Sequence, residues 1–179
     1  MRIVAGRFRG RRLQAPPGLD TRPTGDRVRE SLFSILGPLD GAVVLDLFAG
    51  TGALGLEALS RGAARATFVE RDRKALDALQ ANVQAFGLGP DEARVVRGDY
   101  RRALRDAGAR GEAYDLVLLD PPYRDAPGIA PVLDAALRPL LREGARVVTE
   151  SDRRSPLTLG LGDADERRYG DTLIRIHRP

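Results

Sequence analysis

The sequence has no cysteine, no tryptophan and a single histidine, His177, in 179 residues. Without thiols there are no disulfides, no thiolate metal sites and no cysteine nucleophile. A lone imidazole leaves no basis for a histidine-built metal centre or a serine–histidine relay, so no metal is expected. No apolar run reaches the roughly 18 residues that would suit a bilayer span. The first residues are arginine-rich where a secretory leader would be apolar. The expectation is a soluble, cytoplasmic protein away from membranes. Lysine is nearly absent as well: Lys74 is the only one among 29 basic residues. The choice of arginine therefore carries no information, whereas its placement does.

That placement is uneven. Residues 1–30 hold eight arginines against three acids, a balance of +5, while the remaining chain balances at −1. The whole positive excess sits at the N-terminus, as expected of an arm that faces nucleic acid. Arg7, Arg9, Arg11, Arg12 and Arg22 are the candidate RNA contacts. Around Gly6 and Gly10, residues 2–5 and 11–15 read as a small basic hairpin closed by Pro16-Pro17-Gly18.

The centre of the chain is Val43-Val44-Leu45-Asp46-Leu47-Phe48-Ala49-Gly50-Thr51-Gly52-Ala53-Leu54-Gly55. An apolar run too short for a helix stops at an acid, turns on glycines and opens a helical pattern. This predicts a buried parallel strand, a tight loop and a helix N-terminus. The glycine spacing also satisfies G-x-G-x-x-G, with Glu70 twenty residues after Gly50. Taken alone, it is ambiguous between a nicotinamide cofactor and another adenosine-containing one.

Further strands are expected at 66–69, 93–96, 115–119 and 145–150. Helices are expected from 53 to 61, after Asp72 and after Asp99, and from 128 to 142 with Pro139 kinking or dividing the last. An earlier helix carries Val28, Leu32, Ile35 and Leu36, with Asp26 as its cap. Residues 165–169 and 172–177 read as two strands around Gly170-Asp171. Alternating strands and helices imply an open, mostly parallel α/β sheet with helices on both faces and an antiparallel C-terminal hairpin. Ligands in such sheets bind beyond the carboxyl ends of the strands. Asp46, Glu70, Asp99 and Asp120 end successive strands and are expected to line one crevice there.

Four acids suit a cation rather than a diphosphate. S-adenosyl-L-methionine, with its sulfonium, ammonium, free ribose hydroxyls and adenine, fits them better than NAD. Glu70 suits the ribose hydroxyls, Asp99 the adenine amino group and Asp46 the positive end. The candidate cofactor residues are Asp46, Phe48, Gly50, Gly52, Leu54, Glu70, Asp99 and Tyr100.

Asp120-Pro121-Pro122-Tyr123 is the second informative stretch. The lone pair of an exocyclic base amine is delocalised into the ring. Two acceptors on its hydrogens, the Asp120 carboxylate and the Pro121 carbonyl, can draw the nitrogen towards tetrahedral geometry. The prolines stiffen the turn, and Tyr123 offers a face on which an extruded base can stack. These four are the candidate catalytic residues.

Asp46-Leu47-Phe48-Ala49-Gly50-Thr51-Gly52 followed by Asp120-Pro121-Pro122-Tyr123 resembles the class I S-adenosylmethionine-dependent amino-methyltransferases. Arg2 to Gly6, Arg9 to Leu13, Arg22 to Glu30, Ala53 to Gly62 and Tyr169 to Thr172 resemble the bacterial 16S rRNA guanine-N2 methyltransferases over nearly the whole chain. That resemblance implies a Rossmann-like, seven-stranded sheet and methylation of a guanine amine in 16S rRNA. The substrate it implies is a small ribosomal subunit or an assembly intermediate. It organises the chain as a basic RNA-facing extension, residues 1–25, and a methyltransferase domain, residues 26–179. A monomer is expected. The rival readings are a nicotinamide oxidoreductase, a DNA adenine-N6 methyltransferase and a non-catalytic RNA-binding module.

Overall fold

The computed structural model describes residues 1–16, 25–122 and 126–179. The elements in chain order are α1 (Asp26–Leu36), β1 (Val43–Asp46), α2 (Ala53–Ser60), β2 (Arg65–Glu70), α3 (Arg73–Ala85), β3 (Ala93–Arg97) and α4 (Tyr100–Ala109). They continue with β4 (Tyr114–Leu119), α5 (Ala126–Leu137), β5 (Leu141–Asp152), β6 (Ala164–Tyr169) and β7 (Thr172–His177). The seven strands form one sheet in the order β3-β2-β1-β4-β5-β7-β6. The first five are parallel to one another, and β7 runs antiparallel to both β5 and β6. This is the expected fold class.

Strand composition explains the two-faced burial. Val44, Leu116, Leu118 and Val148 face a core built with α1, α2 and α3. Val43, Leu45, Val117, Leu119 and Val147 face a second core under α4 and α5. Side chains alternate along a strand, so a sheet covered on both faces needs near-continuous apolar runs. The chain leaves β1 for β2 on one side and returns to β4 on the other, which opens a crevice at the β1/β4 carboxyl ends.

The N-terminal segment folds back on itself through a single antiparallel bridge, Arg2 with Arg12. It is docked rather than free: Ile3, Phe8 and Leu13 lie buried in the same core as Leu56 and Leu59. Glu57, fully buried on α2, accepts the Val4 and Ala5 amides at 2.8 and 3.0 Å and pairs with Arg29 and Arg61. Gly6 touches the Ser60 carbonyl so closely that an added Cβ would stand 1.8 Å from its oxygen.

Three local expectations need correction. Asp26 does not cap α1; it begins the helix and pairs with Arg29 at 2.9 Å, and Gly25 occupies the cap position. The last helix ends at Leu137 rather than Arg142, in a 3-10 turn (Arg138–Leu140) containing Pro139. The fifth strand begins at Leu141 and reaches Asp152, longer than residues 145–150, and its pairing register with β4 shifts between Tyr114 and Leu116. By contrast, Asp72 caps α3 as expected, accepting the Ala75 amide at 2.9 Å.

Candidate active site

Asp46, Glu70 and Asp120 stand at the carboxyl ends of three adjacent strands, β1, β2 and β4, and Asp99 precedes α4 beyond the end of β3. Asp46, the last residue of β1, is 1% exposed and accepts the Gly55 amide of α2 at 2.9 Å. Burial pushes its carboxyl up to about 7; the Gly55 hydrogen bond opposes the rise and Glu70 adds to it. Glu70 ends β2, half-buried, and accepts the Gly50 amide at 2.8 Å and the Arg71 and Asp72 amides at 2.8 and 2.7 Å. Asp120 follows β4 and is also half-buried. Its carboxyl is raised well above the ordinary range by burial, then by Glu150 and Asp46. Asp99 caps α4 by accepting the Arg101 amide at 2.9 Å.

The loop between β1 and α2 is pinned from several sides. Leu47 donates to the Leu118 carbonyl and Ala49 to the Val69 carbonyl, both at 3.0 Å, so the loop is tied to the neighbouring strands. Asn82 of α3 donates to the Thr51 carbonyl at 3.0 Å and also bonds both backbone groups of Gln14. One amide side chain thus connects the glycine loop to the N-terminal segment, a link without a sequence motif to announce it. Gly50 has φ +54°, and among the described residues none but its chain neighbours comes within 4 Å of where its Cβ would be, which leaves room for a ligand on this side of the loop. At Gly52, with φ +84°, the close approach comes from the protein: a Cβ would meet Leu79 at 2.4 Å. Phe48 is half-buried and its ring lies 5.4 Å from that of buried Tyr100; Leu54 is buried.

This setting fits a cationic adenosine-type cofactor. The donor set is carboxylate-rich, the glycine turn is open, and an aromatic pair stands on the α4 side. The apolar Pro121 is buried and Pro122 exposed. Tyr123 and Arg22 lie outside the described residues.

The remaining candidate RNA contacts are not equivalent. Arg7 pairs with Glu92 and lies over the Phe8 ring, 4.5 Å from its centre. Arg11 donates to the Ala85 carbonyl at 2.9 Å and lies over Phe86. Arg9 and Arg12 are exposed and have no ion-pair partner among the described residues. One acid at the site was not among those expected from the sequence: Glu150, buried near the end of β5. Its signal was the same as for the others, an acid closing a predicted strand.

The family described as conserved hypothetical protein 95 matches residues 1–178. A Bacillus subtilis protein named as a candidate rRNA methyltransferase, YlbH, is 40% identical over 182 residues, 99% of this chain and 98% of the relative. Ribosomal RNA small subunit methyltransferase D of Escherichia coli strain K12 is 46% identical over 125 residues, 69% of this chain and 61% of that protein. Among solved structures, a candidate methyltransferase from Escherichia coli superposes with TM-score 0.84 at 38% identity, covering 99% of this chain and 97% of the other.

Proposed function

The chain belongs to that family, and we propose that it moves a methyl group from S-adenosyl-L-methionine to the exocyclic N2 amine of a guanine in 16S rRNA. The substrate on this reading is the small ribosomal subunit or a particle assembling into it. The observation that carries the reading is the gathering of Asp120, Asp46 and Glu70 at three adjacent strand ends beside an open glycine turn.

When bound, S-adenosyl-L-methionine supplies a methyl group made electrophilic by its positive sulfonium. Glu70 would hold the ribose hydroxyls, Asp46 the cationic end and Asp99 the adenine amino group. Gly50, Gly52, Phe48, Leu54 and Tyr100 complete that side. Asp120 accepts one hydrogen of the guanine amine and the Pro121 carbonyl the other, turning the nitrogen lone pair out of the ring. Pro121 and Pro122 hold the two acceptors in place with little entropy left to lose. Tyr123 stacks the extruded base. As the amine gains its methyl group the nitrogen becomes positive, and Asp120 offsets that charge and takes the surplus proton. A carboxylate with a raised pKa suits that last role better than an ordinary one.

Residues 1–25 serve as the RNA-facing extension and 26–179 as the methyltransferase unit. Arg9, Arg12 and Arg22 contact phosphates, with Arg7 and Arg11 beside them. The protein works as a monomer in the cytoplasm; no helix among the described residues is long and apolar enough to cross a membrane. The relatives named for ribosomal RNA favour this substrate over DNA adenine. The test is incubation with labelled S-adenosyl-L-methionine and small subunits that lack the modification, followed by mapping of the labelled nucleotide. Label on one guanine amine is the expected result. Label on adenine, or on none of the RNA, overturns the reading.

A further inference from the structure

Glu150 is 4% exposed and pairs across β5 and β7 with the apolar Ile174. The β4–β5 register runs Leu118 with Val148 and Leu119 with Thr149, so its next step sets Glu150 beside Asp120. Alternation along the strands carries both acids onto the face that Leu118 and Val148 share, the face covered by α1, α2 and α3. Asp46 and Glu70 take the same face from β1 and β2, each two residues beyond a residue of that core, Val44 and Phe68. The carboxylates that share this face therefore come from four neighbouring strands, β2, β1, β4 and β5. Asp99 instead caps a helix.

We propose that Glu150 is a positioning residue of the methyl-transfer site, acting through Asp120 from the adjacent strand, an assignment that rests on the role of Asp120 in methyl transfer. Two neighbouring carboxylates withdrawn from water resist ionising together, so the pair titrates as a unit. The direction agrees: after burial, Glu150 is the largest influence holding a proton on Asp120, and Asp46 comes next. Glu70 shares this face and acts on Asp46, where the Gly55 amide of α2 opposes it. The cations that register puts on the face are Arg97, beside Glu70 on β3, and Arg146, which donates to the Leu36 carbonyl of α1; on the covering helices Arg29 and Glu57 pair with each other. The consequence for the chemistry has two sides. Glu150 makes Asp120 a stronger acceptor for the proton that the methylated amine must shed. It also keeps Asp120 protonated, and unable to accept the amine hydrogen, to a higher pH than a lone aspartate would be.

The test is the pH dependence of single-turnover methyl transfer to small subunits. In Glu150→Gln the acid limb should move down by about one pH unit, because removal of a neighbouring like charge lets Asp120 ionise earlier. Glu150→Asp keeps the charge and should restore the limb. A purely structural role would lower the rate by one factor at every pH; parallel profiles for the wild type and Glu150→Gln overturn the proposal. Should Glu150→Gln fail to fold, carboxyl carbon NMR of the wild type and Asp120→Asn decides instead. A coupled, two-step titration of Asp120 that disappears from Glu150 in Asp120→Asn supports the pair, and two independent ordinary titrations overturn it. A wild type that methylates guanine with no coupling removes only Glu150. A wild type that shows the coupling and methylates no RNA removes the methyl-transfer reading and leaves the pair standing.

Discussion

The two ends of strands β1 and β4 treat the same chemical group in opposite ways. At their amino ends Glu112 accepts from Arg94 at 2.8 Å and Arg110 at 2.6 Å, and from the Tyr114 hydroxyl, and its carboxyl is held down at about 2 despite partial burial. Asp115, on the same edge, accepts from Arg142 at 2.8 Å and from the Val43 amide at 2.7 Å. At the carboxyl ends Asp46 and Asp120 are raised by burial and by other acids. Glu70 there is held by the backbone amides of Gly50, Arg71 and Asp72, although arginine makes up nearly all of the protein's basic residues. A carboxylate neutralised by guanidinium has its attraction satisfied internally. One raised by burial and neighbouring acids has its charge favoured only when a cation joins it. On the proposed function, the contrast separates acids that staple the fold from acids that would meet the ligand.

The largest break in the contrast comes from Asp120→Ala. Methyl transfer should fall by about a hundredfold or more while S-adenosyl-L-methionine still binds, as when one preorganised partner of a transition state is lost. Asp120→Asn retains an acceptor oxygen: appreciable activity assigns Asp120 to orientation, and activity as low as in alanine assigns it to charge. Single-turnover rates distinguish these, and near wild-type rates in both variants would sink the mechanism.

Next is Glu70→Ala, which should weaken cofactor binding by about 10- to 100-fold through loss of charge-assisted hydrogen bonds. Calorimetry provides the check, with Glu112→Gln as the control expected to bind normally. Asp46 sharpens the comparison through pH. Below about 7 its buried carboxyl carries a proton that a cation must displace. Affinity for the cofactor should therefore rise with pH, by up to about tenfold per unit, and level off above that value. Proton release on binding, measured in buffers of different ionisation enthalpy, should follow the same curve.

The basic hairpin yields a subtler effect. Its apolar side chains belong to the core, so deleting residues 1–18 would remove Ile3, Phe8 and Leu13 and uncover the core they pack on, as well as remove charge. Arg9→Ala with Arg12→Ala is cleaner, since both are exposed. Each phosphate interaction removed should flatten the log–log salt slope of RNA binding by about 0.7 to 0.9, with cofactor affinity unchanged. An unaltered slope would leave these arginines as solvated surface.

The smallest effect belongs to the stapled end, and its sign is opposite to that of Asp46. Glu112 has a depressed pKa, so its contribution is present above its ordinary 4.5 and is lost as pH falls through about 2. Asp46 has a raised one, so its contribution is present below its ordinary 3.8 and is lost as pH rises through about 7. Thermal melts of Glu112→Gln should lose about 1 kcal/mol at neutral pH, discounted for the exposed arginine partners, and converge with wild type in acid. Asp46→Asn should instead flatten the curve over the interval in which Asp46 titrates.

Much of this was legible from local pattern. Short apolar runs ending in an acid or a glycine turn marked β1, β2 and β4. A period of 3.6 and the Asp72 cap marked α3, because caps and amphipathic faces are decided by neighbours in the chain. Element ends were less legible. Asp26 had the right chemistry for a cap but found Arg29 within reach, and β5 lengthened past its apolar stretch because β4 pairs with Leu141 at its start and β7 with Ser151 and Asp152 at its end.

Residue type and spacing along the chain were enough to specify the class of sheet, the glycine turn and which acids close the strands. They were also enough for the Asp-Pro-Pro-Tyr stretch and the concentration of arginine in the first thirty residues. That Glu150, and not Asp99, stands in line with Asp46 and Asp120 came from the folded chain, since it depends on register between strands far apart in sequence. Folding likewise engages Arg7 and Arg11 with Glu92 and the Ala85 carbonyl while Arg9 and Arg12 face solvent. It brings Glu57 and Asn82 to bind the basic hairpin to α2 and the glycine loop. Spacing sets what a residue can do, whereas the partners that pack around it set whether that capacity is spent inside the protein or left for a ligand.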